Sequence, residues 1–189
     1  MSEDSTGAPS APSAEGAEKS GQVLLERLYL KDASFESPRS PEVFRDRWQP
    51  EFQLEINTRS SGLGEDRFEV VLSATLRAQT GGVRDPAGGP EGGPEGGNDA
   101  AGAKTAYIVE IQHAGVFHVS GLADTARQRV LGTLCPGTLF PYVRETVDSL
   151  VVKGGFPAVH LAPVNFEAIY ADALRKQADA AAGPATPAH

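Results

Sequence analysis

Cysteine is almost absent: Cys135 is the only one in 189 residues. An intramolecular disulfide is therefore excluded, which fits a reducing compartment. Basic charge is also scarce, with 17 Lys and Arg against 25 Asp and Glu, for a net charge of −8. Phosphate backbones are bound by basic stripes, and the lack of one argues against a nucleic-acid role. The acidic balance fits a basic partner or simple solubility. No apolar run is long enough to span a bilayer, so direct membrane insertion is not expected. The opening residues MSEDSTGAPSAPSAEGAEKSG have neither the basic start nor the apolar centre of a signal peptide. The expected location is the cytoplasm.

Catalytic and cofactor signatures are missing as well. The histidines at 113, 118, 160 and 189 lack metal-ligand spacing, and His113 and His118 fall on opposite faces of what reads as a strand. No metal and no cofactor is expected. There is no P-loop, dinucleotide fingerprint or nucleophile elbow, and the glycines of GGPEGGPEGG lack the strand–turn–helix setting of a phosphate cradle. Cys135 precedes Pro136 near a helix start, where a thiol pKa can fall, but a nucleophile also needs a base and an oxyanion site. A free cysteine is more often a small buried hydrophobe. The chain is not expected to be an enzyme.

What is present is unevenly placed. Thirteen of the 21 glycines and seven of the 14 prolines fall in residues 1–21, 81–103 and 178–189. The first and last of these read as disordered tails, since they bury too little apolar surface to offset the entropy of ordering. Residues 22–177 then form one domain with a flexible insertion at 81–103. At a hairpin tip such an insertion costs only about 1.5 kcal/mol, because loop-closure entropy grows logarithmically.

Four stretches carry strand signals. In residues 23–36 the later part alternates, Asp32, Ser34 and Glu36 against Ala33 and Phe35. In 52–57, Phe52, Leu54 and Ile56 oppose Gln53, Glu55 and Asn57, and residues 67–78 continue the pattern through Phe68, Val70, Leu72, Ala74 and Leu76. Ser60-Ser61-Gly62 and Gly64-Glu65-Asp66 signal the turn of an antiparallel hairpin. In 105–120, Ile108, Glu110 and Gln112 oppose Tyr107, Val109, Ile111 and His113, with Gly115 at an expected bulge or bend. The proline-punctuated loop 37–50 carries Val43, Phe44 and Trp48, which a solvated loop does not need.

Residues 134–174 organise the rest as two helices joined by an extended, proline-bearing loop. Pro141 is expected in the first turn of a helix over 140–153 that Gly154-Gly155 ends. Phe140, Val143, Val147, Leu150 and Val151 keep helical spacing, and Leu139, Tyr142 and Thr146 widen the stripe, so this helix should pack on more than one side. Asn165 is the expected N-cap of a second amphipathic helix through Phe166, Ile169, Tyr170, Ala173 and Leu174, and residues 124–134 read as a short helix. The pattern is α+β, helices covering strands.

Two surfaces carry the functional argument. Trp48, Phe52, Leu54, Ile56, Phe156, Leu161, Phe166 and Tyr170 are either core or the lining of an apolar groove walled by the prolyl-stiffened crossover 154–164. Asp32, Glu36 and Glu110 are either a solvated sheet face or, with the aliphatic Ile108 among them, a docking site for a basic peptide with an apolar anchor.

The phrases YLKDASFESPRSPEVFRDRWQPE, FEVVL, YIVEIQHAGVF and above all LCPGTLFPYVRETVDSLVVKGGFPAVHLAPVNFEAIY resemble SecB, the bacterial protein-export chaperone family, over about residues 25–177. The resemblance implies a four-stranded antiparallel sheet with helices packed on one face. It implies a homotetramer, a dimer of dimers built through the long helix and the fourth strand. It also implies an ATP-independent holdase that keeps unfolded precursor proteins translocation-competent and delivers them to the motor ATPase SecA. Carried over residue by residue, the SecA contacts are similar to Asp32, Glu36, Ile108 and Glu110. The client groove would be lined by Trp48, Phe52, Leu54, Ile56, Phe156, Leu161, Phe166 and Tyr170, with the helix after Asn165 as its lid. Assembly would involve Val109, Ile111, His113, Tyr142, Val143, Val147 and Leu150. The chain departs from the family in its glycine-rich insertion and in a C-terminal tail without the acidic cluster of some members. General export and a dedicated client, such as a toxin–antitoxin partner, are both compatible with these residues.

Overall fold

The structure, a computed structural model, describes residues 21–81 and 103–182. The expected tail 1–21, the insertion 81–103 and the end of the tail 178–189 thus lie almost wholly outside the described residues. Strands β1 (Gln22–Glu36), β2 (Glu51–Gly64), β3 (Arg67–Thr80) and β4 (Lys104–Ser120) precede helices α1 (Asp124–Gly132), α2 (Leu134–Lys153) and α3 (Phe166–Ala182). The strands form one antiparallel sheet in the order β1-β4-β3-β2. The α+β architecture is as expected, and α3 carries helix five residues past the expected domain end at 177.

The β2–β3 hairpin reverses at the second of its two sequence signals, Gly64-Glu65-Asp66, and not at the first. Ser60-Ser61-Gly62, read as turn, stays in β2 opposite Val70, Glu69 and Phe68. The reversal falls on Glu65 and Asp66, at φ of 50° and 58°, after Gly64 at 88°. A two-residue turn with left-handed residues matches strand twist, so the strands pair to their ends. The Asp66 carbonyl then accepts the Val119 N–H at 2.8 Å. β3 and β4 pair from Arg67↔His118 to Thr80↔Lys104, as expected of strands flanking a long tip. Gly115 is no bulge: it keeps register with Val70, and an added Cβ would stand 2.7 Å from Phe117 and 3.1 Å from Leu139. Its missing side chain makes room for close packing. The irregularities lie across from it in β1, between Leu25 and Arg27 and between Leu30 and Asp32.

Alternation gives the sheet an inner and an outer face. Leu72, Leu76, Val109 and Ile111 of the inner face meet Leu139, Val143, Val147 and Val151 of α2, and all eight are buried. Each such side chain contributes about 2 kcal/mol of transfer free energy. α1 covers the turn end of the hairpin, where the Arg127 guanidinium lies 5.8 Å above the Phe68 ring.

Helix α2 begins a turn and a half before its expected start. Pro136, not Pro141, occupies the first turn, and Pro141 lies inside the helix, leaving the Gly137 carbonyl without its usual i+4 donor. The other end is as expected: Gly155 is left-handed at φ 86°, and the Phe156 N–H donates to the Val151 carbonyl at 3.1 Å. Asn165 caps α3, its Oδ1 accepting the Ala168 N–H at 3.0 Å. Ile169 and Leu174, expected on the packed stripe of α3, are exposed, because the apolar contacts of this helix with α1 and α2 run through Phe166 and Tyr170.

Candidate functional site

The loop between β1 and β2 folds back on the inner face. Val43 is buried there and Trp48 half-buried. The Trp48 ring lies 6.2 Å from Tyr107 and 5.1 Å from Phe156, and Phe156 lies 4.8 Å from Tyr107 and 5.1 Å from Phe44. Phe35 closes the group, 5.7 Å from Tyr107 and 6.2 Å from Phe156. Phe35, Phe44 and Tyr107 are absent from the sequence-derived lining. Their signal was present: Phe35 alternates against the acidic residues of β1, and Tyr107 shares the inner phase of β4 with Val109 and Ile111.

Beside this cluster the edge strand β2 aligns Phe52, Leu54 and Ile56 across from Ala78, Leu76 and Ala74. The helices cover β3 and β4 but leave this edge open, so Phe52 is 46 % and Leu54 37 % exposed. Exposed apolar side chains in a row on a sheet edge can bury part of a partner. Leu161 and Phe156, by contrast, are buried core residues of the crossover. The crossover is tied to α2 by Asp148, whose Oδ1 accepts the Val159 N–H at 3.0 Å. Phe166 and Tyr170 belong to a separate place: Phe166 packs on Phe140 at 5.8 Å beside a cleft of about 730 Å³ lined by Thr133, Gly137 and Val164. The eight groove residues thus fall into two groups.

On the outer face the acidic residues come together. Glu36 pairs with Ile108, Ser34 with Glu110 and Asp32 with Gln112, so Asp32, Glu36, Ile108 and Glu110 occupy three consecutive rows of two adjacent strands. Asp32, Glu36 and Glu110 are exposed, and none of them has an ion-pair partner among the described residues. The opposite end of this face is neutralised internally. Lys31 donates to Glu69 at 2.8 Å and Tyr29 donates to the same carboxylate, and these bonds, Lys31 first, hold the Glu69 carboxyl below its usual range. Arg67 pairs with Glu26 and with Glu65, each at 2.9 Å.

The expected assembly residues divide. Val109, Ile111, His113, Val143 and Val147 are buried between β4 and α2 of one chain. β4 is also an inner strand with both edges paired, so it has no free edge for a second copy. Tyr142 is 45 % exposed and Leu150 half-buried, and Val152 is exposed on the same helix. His113 accepts or donates through Nε2 to Thr146 Oγ1 at 2.9 Å, and burial pushes its pKa down against the weaker pull of the Tyr29 backbone and Glu145. Burial alone pushes the Cys135 thiol up to about 12, so it stays protonated at neutral pH.

Among the described residues no helix is long and apolar enough to cross a membrane. The family described as preprotein translocase subunit SecB matches residues 16–177. The chain belongs to the SecB family. It is 45 % identical over 164 residues to the protein-export protein SecB of Marinobacter nauticus, which covers 87 % of each chain. To the protein-export protein SecB of Pseudomonas syringae pv. tomato it is 40 % identical over 179 residues, covering 95 % of this chain and 96 % of the other. The SecB fold is also that of the Mycobacterium tuberculosis SecB-like chaperone solved with a ChAD peptide from the HigA1 antitoxin. That match has a TM-score of 0.53 at 19 % identity, over 76 % of this chain and 91 % of the other.

Proposed function

We propose that this SecB-family chain is an ATP-independent export chaperone that holds unfolded precursor proteins and passes them to the motor ATPase SecA in the cytoplasm. The observation that carries this reading is the opposition of two unlike surfaces on one sheet. The open apolar row Phe52, Leu54 and Ile56 lies beside Trp48 on the inner face, and the unpaired carboxylates of Asp32, Glu36 and Glu110 lie around Ile108 on the outer face. Unfolded clients expose apolar segments, and burying them at about 25 cal/mol per Å² gives affinity without sequence-specific hydrogen bonds. A folded client buries the same segments itself and does not compete for the groove. The outer face is free for the motor while a client is bound, so transfer needs no prior release.

The chemistry is binding, not catalysis: Cys135 is buried and protonated, away from both surfaces. Assembly into a tetramer would use the exposed side of α2, around Tyr142 and Val152, and would place several grooves on one particle for avidity. Two measurements test the reading. At stoichiometric concentration the chain should suppress aggregation of an unfolded precursor, and its solution mass should be that of a tetramer. No suppression would overturn the chaperone assignment, and a monomer would overturn the multivalent mechanism.

A further inference from the structure

The crossover from α2 to α3 is built as a strap. Residues 157–165 pair with no strand, yet Phe156, Val159 and Leu161 are buried while Pro157, His160 and Pro163 are exposed. One side of the segment lies on the core and the other meets solvent. Its start turns on Gly155, left-handed at φ 86°, and its end is fixed by the Asn165 cap. Midway, Asp148 of α2 holds it: Oδ1 accepts the Val159 N–H at 3.0 Å, and Oδ2 stands 3.7 Å from Nδ1 of His160. An exposed ion pair at that distance adds little, so the backbone bond is the clasp.

The strap decides what the groove offers. It carries Phe156, whose ring lies 4.8 Å from Tyr107, 5.1 Å from Trp48 and Phe44, and 6.2 Å from Phe35. Phe52, Ala78 and Tyr107 form one row across β2, β3 and β4, so the aromatic cluster continues the open row of the edge strand. With Phe156 in place, however, Tyr107 is wholly buried. Closure also has a cost, because the Tyr107 hydroxyl is sealed in with no hydrogen-bond partner among the described residues. Packing of Phe156 and the Asp148 clasp favour the closed strap, and the orphaned hydroxyl favours the open one.

Building on the client-groove reading, we propose that residues 154–164 are a movable strap over an aromatic floor of the groove, latched by Asp148 and lifted as a client enters. Lifting takes Phe156 off Tyr107 and lets an extended apolar segment lie across both Phe52 and the uncovered floor. The apparent affinity is the intrinsic one reduced by the fraction of chains that are open, and the Asp148 bond to Val159 sets that fraction. Asp148 is thus a positioning residue: it acts on the client only through the strap.

The test uses the full-length chain and an extended apolar peptide carrying two Phe, with hydrogen exchange at the Val159 amide and Trp48 emission as readouts of the strap. Asp148→Ala removes the acceptor. It should speed Val159 exchange about tenfold, shift Trp48 emission and tighten the peptide roughly three- to tenfold, mainly through faster association. Asp148→Asn keeps an oxygen for the Val159 N–H and should bring all three back to within about twofold of the unaltered chain. Tyr107→Phe deletes the unpartnered hydroxyl and should act in the opposite sense, slowing Val159 exchange and weakening the peptide roughly three- to tenfold. Unchanged exchange in β3 and β4 confirms that the variants fold. Faster Val159 exchange without tighter binding in Asp148→Ala overturns the strap as a control on the groove, and unaltered exchange overturns the latch. A Tyr107→Phe variant that moves in the same direction as Asp148→Ala overturns the balance between them. If the unaltered chain and every variant fail to bind the peptide, the client-groove reading falls and the strap's role with it.

Discussion

The ring of Tyr170 lies over Gly132 so closely that a β-carbon at position 132 would stand 2.5 Å from its Cδ2. With the Arg129–Glu167 ion pair at 3.1 Å, this contact fastens α3 to α1. Gly132→Ala should push the ring outward and loosen α3. Overpacking costs about 1–3 kcal/mol, and alanine's better helix propensity returns up to about 1, so the net loss of stability should be about 1 kcal/mol. Hydrogen exchange should quicken in α3 and stay unchanged in β3 and β4. Unaltered protection of α3 would show that Tyr170 does not hold it.

Glu110 faces solvent between Ser34 and Thr75, where a lysine meets no steric obstacle. Glu110→Lys reverses one charge of the unpaired acidic group and should weaken SecA binding about tenfold. Affinity for an unfolded client should stay within about twofold, because the groove lies across the sheet. Titrating both partners checks the separation of the two sites: loss of both, or of neither, contradicts it.

His113 titrates in the folded chain below its ordinary value of 6.5, chiefly because it is buried. The unfolded chain therefore takes up this proton first. Stability is full above pH about 6.5 and declines as pH falls through that value toward the folded pKa. His113→Gln can keep the hydrogen bond to Thr146 but cannot titrate. Urea midpoints at about pH 7.5 and pH 5 should differ less for the variant than for the unaltered chain. Equal slopes would remove His113 from the acid sensitivity.

Trp48 is the only tryptophan, so its fluorescence reports on the aromatic cluster. A β-carbon on Gly154 would stand 2.2 Å from Cζ of Phe35. Gly154→Ala should displace Phe35 from Phe156, lower stability by about 1–3 kcal/mol and shift Trp48 emission. An unchanged spectrum with reduced stability would place the strain outside the cluster.

Much of this was legible because β3 and β4 are buried by α2 on one face only, so polar and apolar residues alternate cleanly along them. The acidic group was readable for the same reason: Asp32 and Glu36 sit four apart and Ile108 and Glu110 two, even intervals that keep each pair on one face. Boundaries were less readable. A proline tolerated inside α2 looked like a start, and of the two turn signals only Gly64-Glu65-Asp66 holds the reversal, while Ser60-Ser61-Gly62 stays in the strand. Helical and strand periodicity mark which side chains are covered, not whether the cover comes from the same chain.

The two irregularities of β1 have a further consequence. Each is one residue more than β4 offers in return, Glu26 and Lys31, so the strand changes handedness of address twice: Tyr29 looks out opposite Ala114, and three positions later Asp32 looks out opposite Gln112. Had Lys31 not been inserted, one end of β1 would be turned through, and either Tyr29 would leave Glu69 or the carboxylates of Asp32 and Glu36 would be driven toward the oily side of α2. Lys31 is thus the key that sets β1 in tune with β4, and the acidic side of the molecule exists only while that single count is kept.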